Sequence, residues 1–290
     1  MKKFACYLLL FILISCGRDV VLSNQITLDC VQSQPTGHIP EDLYLLGSIQ
    51  QTSHYPPFTK KLTVCGVTLV AHDNVSNMFM KHVAQTIADM FIIHDGIDIA
   101  LQQELLTNLY LYRTVIPIFR GEDWHLSSTE ERLMNQTRGE NSICDIIMED
   151  VSGQVTEVIE HILHHISDVG LHYTMPKEWG LSNSSSLYKI TQEAIKKGYY
   201  KVDDYSEIKE VGVRNRVILQ EYTYWVIYTA WNLKKTFGPK ESEWRILTVE
   251  ELESKLPESR QLYERTIPKV ITCPKKETLS KFIEGTNTKP

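Results

Sequence analysis

The chain has little of what a membrane protein requires, because its apolar residues rarely continue for long. Residues 4–14 form one uninterrupted apolar run of about 11 residues, and no later run approaches the ~18 residues that a membrane span needs. We therefore expect no transmembrane span.

Basic stretches interleaved with aromatic side chains are also missing. Lys and Arg total 30 against 36 Asp and Glu, which gives a formal net charge of −6 at pH 7. Nucleic acids are held chiefly through their phosphates by clustered cations. The sequence therefore predicts no nucleic-acid partner, and its acidic surface suits solubility outside a cell.

No internal repeat and no linker rich in Gly or Ser divides the chain. The polar stretch of residues 23–60, with prolines at positions 35, 40, 56 and 57, predicts an irregular N-terminal leader. Residues 61–290 are long enough to bury a core and are predicted to form one domain.

The N-terminus has the order of a secretory signal peptide. Lys2 and Lys3 precede the apolar run, and small residues follow it. We assign residues 1–22 to this signal and expect a secreted protein. Residues 13–16, Leu-Ile-Ser-Cys, also resemble the lipobox of bacterial lipoproteins, so the alternative is a lipoprotein anchored through Cys16.

Two further features indicate export. Sequons of the Asn-x-Ser/Thr type begin at Asn74, Asn135 and Asn183, and they are glycosylation acceptors in a eukaryotic secretory pathway. The cysteines that follow the signal are Cys30, Cys65, Cys144 and Cys273. An even set in an exported chain predicts two disulfides, and the sequence leaves their pairing open.

Hydrophobic periodicity predicts an α+β fold, mostly helical with a small β-sheet. The predicted strands are residues 62–71 and 115–119, and the predicted helices are residues 78–93, 99–112, 155–169, 187–197 and 217–233. Gly170 is expected to end the third of these helices. The polar residues 122–141 are expected to form a surface loop.

One predicted helix carries an unusual density of metal ligands. Glu160, His161, His164 and His165 lie within a turn and a half of it. Glu160 and His164 stand at positions i and i+4, so both side chains can reach one ion. A metal site is our hypothesis, and the alternative is a polar helix face whose histidines bond one another, Asp168 and water.

Glu221 is the one charged residue in the helix predicted over residues 217–233. A carboxylate in so apolar a helix is costly to bury unless a positive or hydrogen-bonding group meets it. Its candidate partners are a metal ion, a protonated histidine of the first helix, or tyrosine hydroxyls and backbone amides.

The spacing is close to that of the HExxH zinc helix, whose Glu acts as general base. Zinc commonly takes two ligands from one helix and a third from another, which leaves one position for water. In residues 160–164, Glu-His-Ile-Leu-His, a carboxylate replaces the first His and an imidazole stands at the base position. We therefore expect Glu160, His164 and Glu221 to bind zinc, with His161 as the catalytic proton-transfer group.

Two other registers remain open. His161 and His165 also stand at i and i+4, but Ile162 then occupies the base position. Residues 157–161 resemble the inverted HxxEH motif, with Glu157 in place of its first His. Since no register satisfies a motif fully, the sequence favours metal binding more than peptidase chemistry.

The sequence resembles a family of exported proteins whose core is similar to zincin metallopeptidases of the gluzincin type. Residues 156–164, 168–170, 220–225 and 243–244 carry the resemblance. The family pattern Glu-Glu-x-x-His reads Glu-His-x-x-His in this chain. The resemblance implies a zincin-like domain in which Glu160 and His164 are the paired helical positions and Glu221 is the distal carboxylate.

These features favour a secreted metal-binding protein that resembles a zinc metallopeptidase and whose activity depends on His161 replacing a glutamate base. The alternative is a non-catalytic secreted glycoprotein or binding module that keeps the scaffold and binds an extracellular protein or peptide. The isolated histidines are expected to be ordinary surface or core residues: His72, His82, His94 and His125.

Overall fold

A computed structural model of the chain describes residues 22–239 and 243–284. The predicted signal peptide lies outside the described residues except for Leu22, which is buried. Among the helices described, none has both the length and the apolar character that crossing a membrane demands.

Within the described residues, five short strands form one mixed sheet in the order β1-β2-β3-β4-β5. They are β1 Gln50–Gln51, β2 Lys60–Val64, β3 Val67–Ala71, β4 Thr114–Arg120 and β5 Ile147–Glu149. β1, β2 and β3 pair antiparallel, whereas β4 runs parallel to β3 and β5 parallel to β4. The predicted strand at residues 115–119 corresponds to β4, which has a parallel neighbour on each side.

The predicted strand at residues 62–71 is a hairpin of two strands. Cys65 and Gly66 both have positive φ, 45° and 81°, as a two-residue hairpin turn of type I′ requires. The chain reverses at this turn, so that Leu62 pairs with Leu69. Residues 62–71 are rich in residues that favour strands, and one glycine is the only turn signal among them.

Helices make up most of the regular structure, so the predicted α+β fold with a small sheet is confirmed. They are α1 Asn77–Met90, α2 Ile99–Leu111, α3 Ser128–Glu140, α4 Gln154–His165, α5 His172–Thr174, α6 Ser186–Lys196, α7 Val211–Ala230, α8 Leu233–Phe237, α9 Val249–Lys255, α10 Pro257–Thr266 and α11 Lys276–Glu284. Short 3₁₀ turns cover Asp203–Glu207 and Ile267–Lys269. The five predicted helices correspond to α1, α2, α4, α6 and α7.

The surface loop predicted for residues 122–141 is wrong, because α3 occupies most of it. A capping box starts this helix: Ser127 accepts from the Glu130 backbone N–H while the Glu130 side chain accepts from the Ser127 N–H. Only Met134 and Thr137 of α3 are buried. The helix therefore depends on its cap more than on an apolar stripe.

The helix that carries the histidines does not end at Gly170, contrary to the prediction. α4 continues through a π-helical segment, Ile166–Leu171, into α5. Gly170 lies inside this continuous helix, where an added Cβ would come within 2.9 Å of Leu105 Cδ2. The glycine permits the close approach of α2 and makes no C-terminal turn.

The packing of α4 against α7 positions the candidate site. The Thr156 hydroxyl of α4 and the Tyr228 hydroxyl of α7 share a hydrogen bond of 3.0 Å. α7 is buried along most of its length, as its apolar composition predicted. Ligands on the facing sides of these two helices therefore lie inside the protein, close to its core.

The N-terminal leader, residues 23–60, is irregular apart from β1 and Lys60, the first residue of β2. Covalent and hydrogen bonds attach it to the rest of the fold. Cys30 forms a disulfide with Cys144, and Asn215 Nδ2 donates to the Ser23 backbone carbonyl at 3.2 Å. The leader therefore belongs to the same folded unit as the helices.

The prediction of two disulfides is confirmed for one pair and wrong for the other. Cys65 and Cys273 are free thiols. Cys65 is buried in the turn between β2 and β3, whereas Cys273 precedes α11. The two thiols belong to different elements of the fold and do not pair.

The three sequon asparagines, Asn74, Asn135 and Asn183, are all exposed. A glycan can be attached only to an accessible side chain. The three asparagines are accessible in this structure, and their glycosylation stays a prediction.

Candidate metal centre

The structure brings Glu160, His164 and Glu221 together between α4 and α7. One ligand atom from each side chain lies within 4.8 Å of the other two. His164 Nε2 is 3.4 Å from Glu221 Oε2. His164 is fully buried and both carboxylates are partly buried, so the three predicted ligands form one group close to the core.

The His164 ring is oriented by Asp145, which the sequence did not indicate. His164 Nδ1 lies 2.7 Å from Asp145 Oδ2. The opposite ring nitrogen, Nε2, is buried, has no hydrogen-bond partner and points to Glu221. A carboxylate that holds one nitrogen while the other faces a ligand group is the arrangement of metal-binding histidines.

The donor set suits a divalent transition metal, zinc in particular. Zinc accepts imidazole nitrogen at about 2.0–2.1 Å and carboxylate oxygen at about 2.0–2.2 Å. Donor atoms within 4.8 Å of one another can close on one ion with small side-chain movements. His164 Nε2, which faces Glu221 at 3.4 Å, offers such an ion a lone pair once its proton is displaced, so the residues fit the predicted metal.

The environment of Glu160 favours its protonated form. Burial and the charge of Glu221 raise the pKa of Glu160 to about 8. For His164, burial opposes the charged ring, but Glu221 and Asp145 raise its pKa well above the ordinary value. Glu160 and His164 therefore hold protons at neutral pH that a bound cation would displace.

His161, the predicted proton-transfer group, lies between two carboxylates. Its Nδ1 is 3.1 Å from Glu157 Oε1 and its Nε2 is 3.7 Å from Asp145 Oδ2. Although burial opposes protonation, Asp145 and Glu157 raise the pKa of His161 to about 9. At neutral pH the ring is a cation that can donate a proton, whereas a general base must accept one. Its catalytic role stays a prediction.

His165 faces the other way and is not among the candidate ligands. Its Nδ1 donates to the His161 carbonyl at 2.7 Å. Its Nε2 accepts from the backbone N–H groups of Cys144 and Asp145, at 3.1 and 3.3 Å. Burial lowers the pKa of His165 to about 4, so the ring is neutral and fixes the backbone beside Asp145.

Asp168 and two further histidines make their contacts outside the candidate site. Asp168, expected on the polar helix face, is buried in an ion pair with Arg216 Nη1 at 3.0 Å. His172 Nδ1 accepts from the Leu181 N–H at 2.9 Å. His72 packs against Phe58 and Phe119. None of these side chains belongs to the group around His164.

The sheet edge beside the site is closed. Met148 of β5 donates its N–H to Glu157 Oε1 and accepts at its carbonyl from Gln154 Nε2, both at 2.7 Å. A peptide that adds a strand to a sheet needs such groups free. The side chains of α4 therefore block strand addition at β5.

Access to the site is narrow. The side chains of Glu221 and Asp145 are 17% and 29% exposed, and that of His161 is 13% exposed. Cavities of about 360 to 810 Å³ in the described part of the chain are lined by other residues. Water and small ions can reach this group more readily than a folded segment of another protein.

The chain matches no protein-family model, no curated protein and no solved structure. The resemblance to zincins therefore depends on the site residues and their spacing.

Proposed function

We propose that this protein is exported and binds one divalent metal ion, zinc, through Glu160, His164 and Glu221. The observation that carries the proposal is the orientation of the buried His164 ring: Asp145 holds its Nδ1 at 2.7 Å, and its Nε2 faces Glu221 Oε2 at 3.4 Å with a ligand atom of Glu160 close by. A cation bound between the two carboxylates would offset their mutual repulsion.

Zinc bound in this way would polarise a water molecule at its remaining position. This chain's own contribution would come from Asp145, which orients His164, and from His161, which holds a proton beside Asp145 and Glu157. Hydrolysis is therefore the second candidate function. The proton-donor state of His161, the narrow access and the closed β5 edge favour metal binding over cleavage of extended peptides.

Zinc stoichiometry and affinity test the proposal, with a chromophoric chelator as competitor. We expect about one zinc per chain for the wild type. His164→Ala and Glu221→Gln should weaken binding by at least ~10-fold. Glu104→Gln and His94→Ala change exposed residues of the same types and serve as matched controls. Absence of zinc from the wild type, or unchanged affinity in His164→Ala, would overturn the proposal.

The hydrolytic candidate has its own test, cleavage of a broad peptide library. His161→Ala should keep its zinc and lower any turnover by about 10²–10⁴-fold, since it removes the proton-transfer group. If the wild type binds zinc and cleaves no peptide, hydrolysis is refuted and metal binding remains the proposed function.

Export is supported by several features together: the predicted signal, the Cys30–Cys144 disulfide and the exposed asparagines of the sequons. Mass spectrometry of the protein recovered from the expressing cells distinguishes the two routes. A free mature N-terminus indicates secretion, whereas a lipid on Cys16 indicates the lipoprotein alternative.

A further inference from the structure

The geometry points to the Cys30–Cys144 disulfide as the clamp that positions Asp145 and thereby sets the zinc affinity of His164. This inference rests on the proposed function and adds a regulator to it. Asp145 is a positioning residue, because it acts through the His164 ring.

The connection between the disulfide and the site is short. Cys144 is bonded to Cys30 through sulfur and to Asp145 through the peptide bond. Asp145 Oδ2 then contacts His164 Nδ1 at 2.7 Å. One peptide unit therefore separates a covalent crosslink from the carboxylate that orients the candidate ligand.

The segment that carries Asp145 is held by the crosslink, by the Ile143 N–H that donates to the Cys30 carbonyl at 3.0 Å, and by the burial of Ile143. Residues 143–146 have no regular secondary structure between the bridge at Ser142 and the start of β5. The backbone N–H groups of Cys144 and Asp145 reach only His165 Nε2, at 3.1 and 3.3 Å. The crosslink is the one covalent restraint that this connector has besides its own chain.

Asp145 also serves two rings at once, so a small displacement has a double effect. Its Oδ2 lies 2.7 Å from His164 Nδ1 and 3.7 Å from His161 Nε2. A shift of the connector would remove the charged acceptor from His164 and leave a buried ring without its orienting bond. Loss of such an outer partner typically weakens metal binding by about 10–100-fold.

Reduction is the event that would release the clamp. Cys30 and Cys144 are both partly exposed, and a dithiol is the co-reactant that the step requires. The dithiol gives up two electrons and two protons and becomes a cyclic disulfide, while the Cys30–Cys144 bond breaks into two thiols. Zinc affinity would then be high in an oxidising compartment and low where dithiols are kept reduced.

The test measures the zinc dissociation constant of one protein in two redox states. The other cysteines, Cys6, Cys16, Cys65 and Cys273, are replaced by serine, so that only the Cys30–Cys144 pair can react. A phosphine serves as reductant: with one water molecule it becomes its oxide, while the disulfide becomes two thiols. The two new thiols are then alkylated, because Cys30, Cys144 and Asp168 could otherwise bind zinc themselves. We expect the dissociation constant to rise by about 10–100-fold.

Variants of Asp145 separate the clamp from a general loss of structure. In the oxidised protein, Asp145→Ala should show the same loss of affinity as reduction, and reduction should then add nothing, because both changes act on one contact. Asp145→Asn keeps an acceptor for His164 Nδ1 and should fall between the two. Asp29→Asn removes the nearby ion pair of the leader with Arg216 and should leave zinc affinity unchanged.

Equal dissociation constants in the two redox states, or independent losses from reduction and Asp145→Ala, would overturn the inference. If the oxidised protein binds no zinc, the proposed function fails and amide hydrogen exchange decides about the clamp. Reduction should then expose the Cys144 and Asp145 amides while α10 keeps its protection. Unchanged protection at those two amides would refute the clamp in either case.

Discussion

His165 makes the free energy of unfolding depend on pH, and its contribution can be measured separately from those of the other histidines. The folded protein holds its ring neutral, with Nδ1 as donor to the His161 carbonyl and Nε2 as acceptor from two backbone N–H groups. Protonation of Nε2 would replace an acceptor by a donor that faces two other donors. Burial accordingly lowers the pKa of this ring to about 4.

The sign and size of the effect follow from linkage. The unfolded ring has a pKa of about 6.5, above the folded value, so the unfolded chain takes up the proton first as pH falls. The stabilising contribution of the neutral ring is complete above pH ~6.5 and is lost as pH falls toward 4. Between pH 7.5 and pH 5.0 this one residue should remove about 2 kcal/mol from the free energy of unfolding.

Urea unfolding of the wild type and His165→Gln at pH 7.5 and 5.0 measures this loss, with a chelator present so that metal release does not contribute. The variant should be less stable at pH 7.5 but should lose about 2 kcal/mol less on acidification. His125→Gln, at an exposed position, should lose as much as the wild type. His161 and His164 have pKa values raised by their carboxylates, so their contributions have the opposite sign and are common to all three proteins. Equal acid losses in wild type and His165→Gln would refute the reasoning.

Three further outcomes are expected. Gly170→Ala forces a methyl group against Leu105 and should lower the free energy of unfolding by about 1–3 kcal/mol. Leu105→Ala should restore space for that methyl group in the double variant. An unchanged urea midpoint in Gly170→Ala would contradict this packing. Ser127→Ala removes the cap of α3 and should cost about 1 kcal/mol, which Ser127→Asp should largely restore. Thiol titration in denaturant without reductant should detect Cys65 and Cys273, and a protein in which neither reacts would contradict the single crosslink.

The sequence predicted helices well where their apolar residues repeat at helical spacing. α1 and α2 begin and end within a few residues of the predicted limits. α7 ends close to its predicted limit but starts earlier. α3 was missed because it is polar almost throughout, and its only local signal is the Ser127 and Glu130 capping pair. Gly170 was misread because a glycine can serve close packing as well as chain termination, and only the position of Leu105 distinguishes the two.

In the candidate site, too, the residues with a local sequence signal were predictable, whereas those placed by distant contacts were not. Glu160 and His164 follow from helical spacing, and Glu221 follows from the cost of a lone carboxylate in an apolar helix. Asp145 could not be predicted, because its contact with His164 depends on how β5 and α4 pack. The state of His161 had a local signal in Glu157, which stands four residues earlier on the same helix face.

Charge balance explains why so many ionisable groups tolerate one partly buried place. Asp145, Glu160 and Glu221 surround His161 and His164. A proton neutralises Glu160, and the protonated rings of His161 and His164 offset most of the negative charge of the other carboxylates. A divalent cation that displaces the protons of Glu160 and His164 replaces two positive charges by two, so the net charge of the group does not change. If zinc binds as proposed, the metal-free and metal-bound states would need the same charge compensation from the surrounding residues, and protons and zinc would compete for the same atoms.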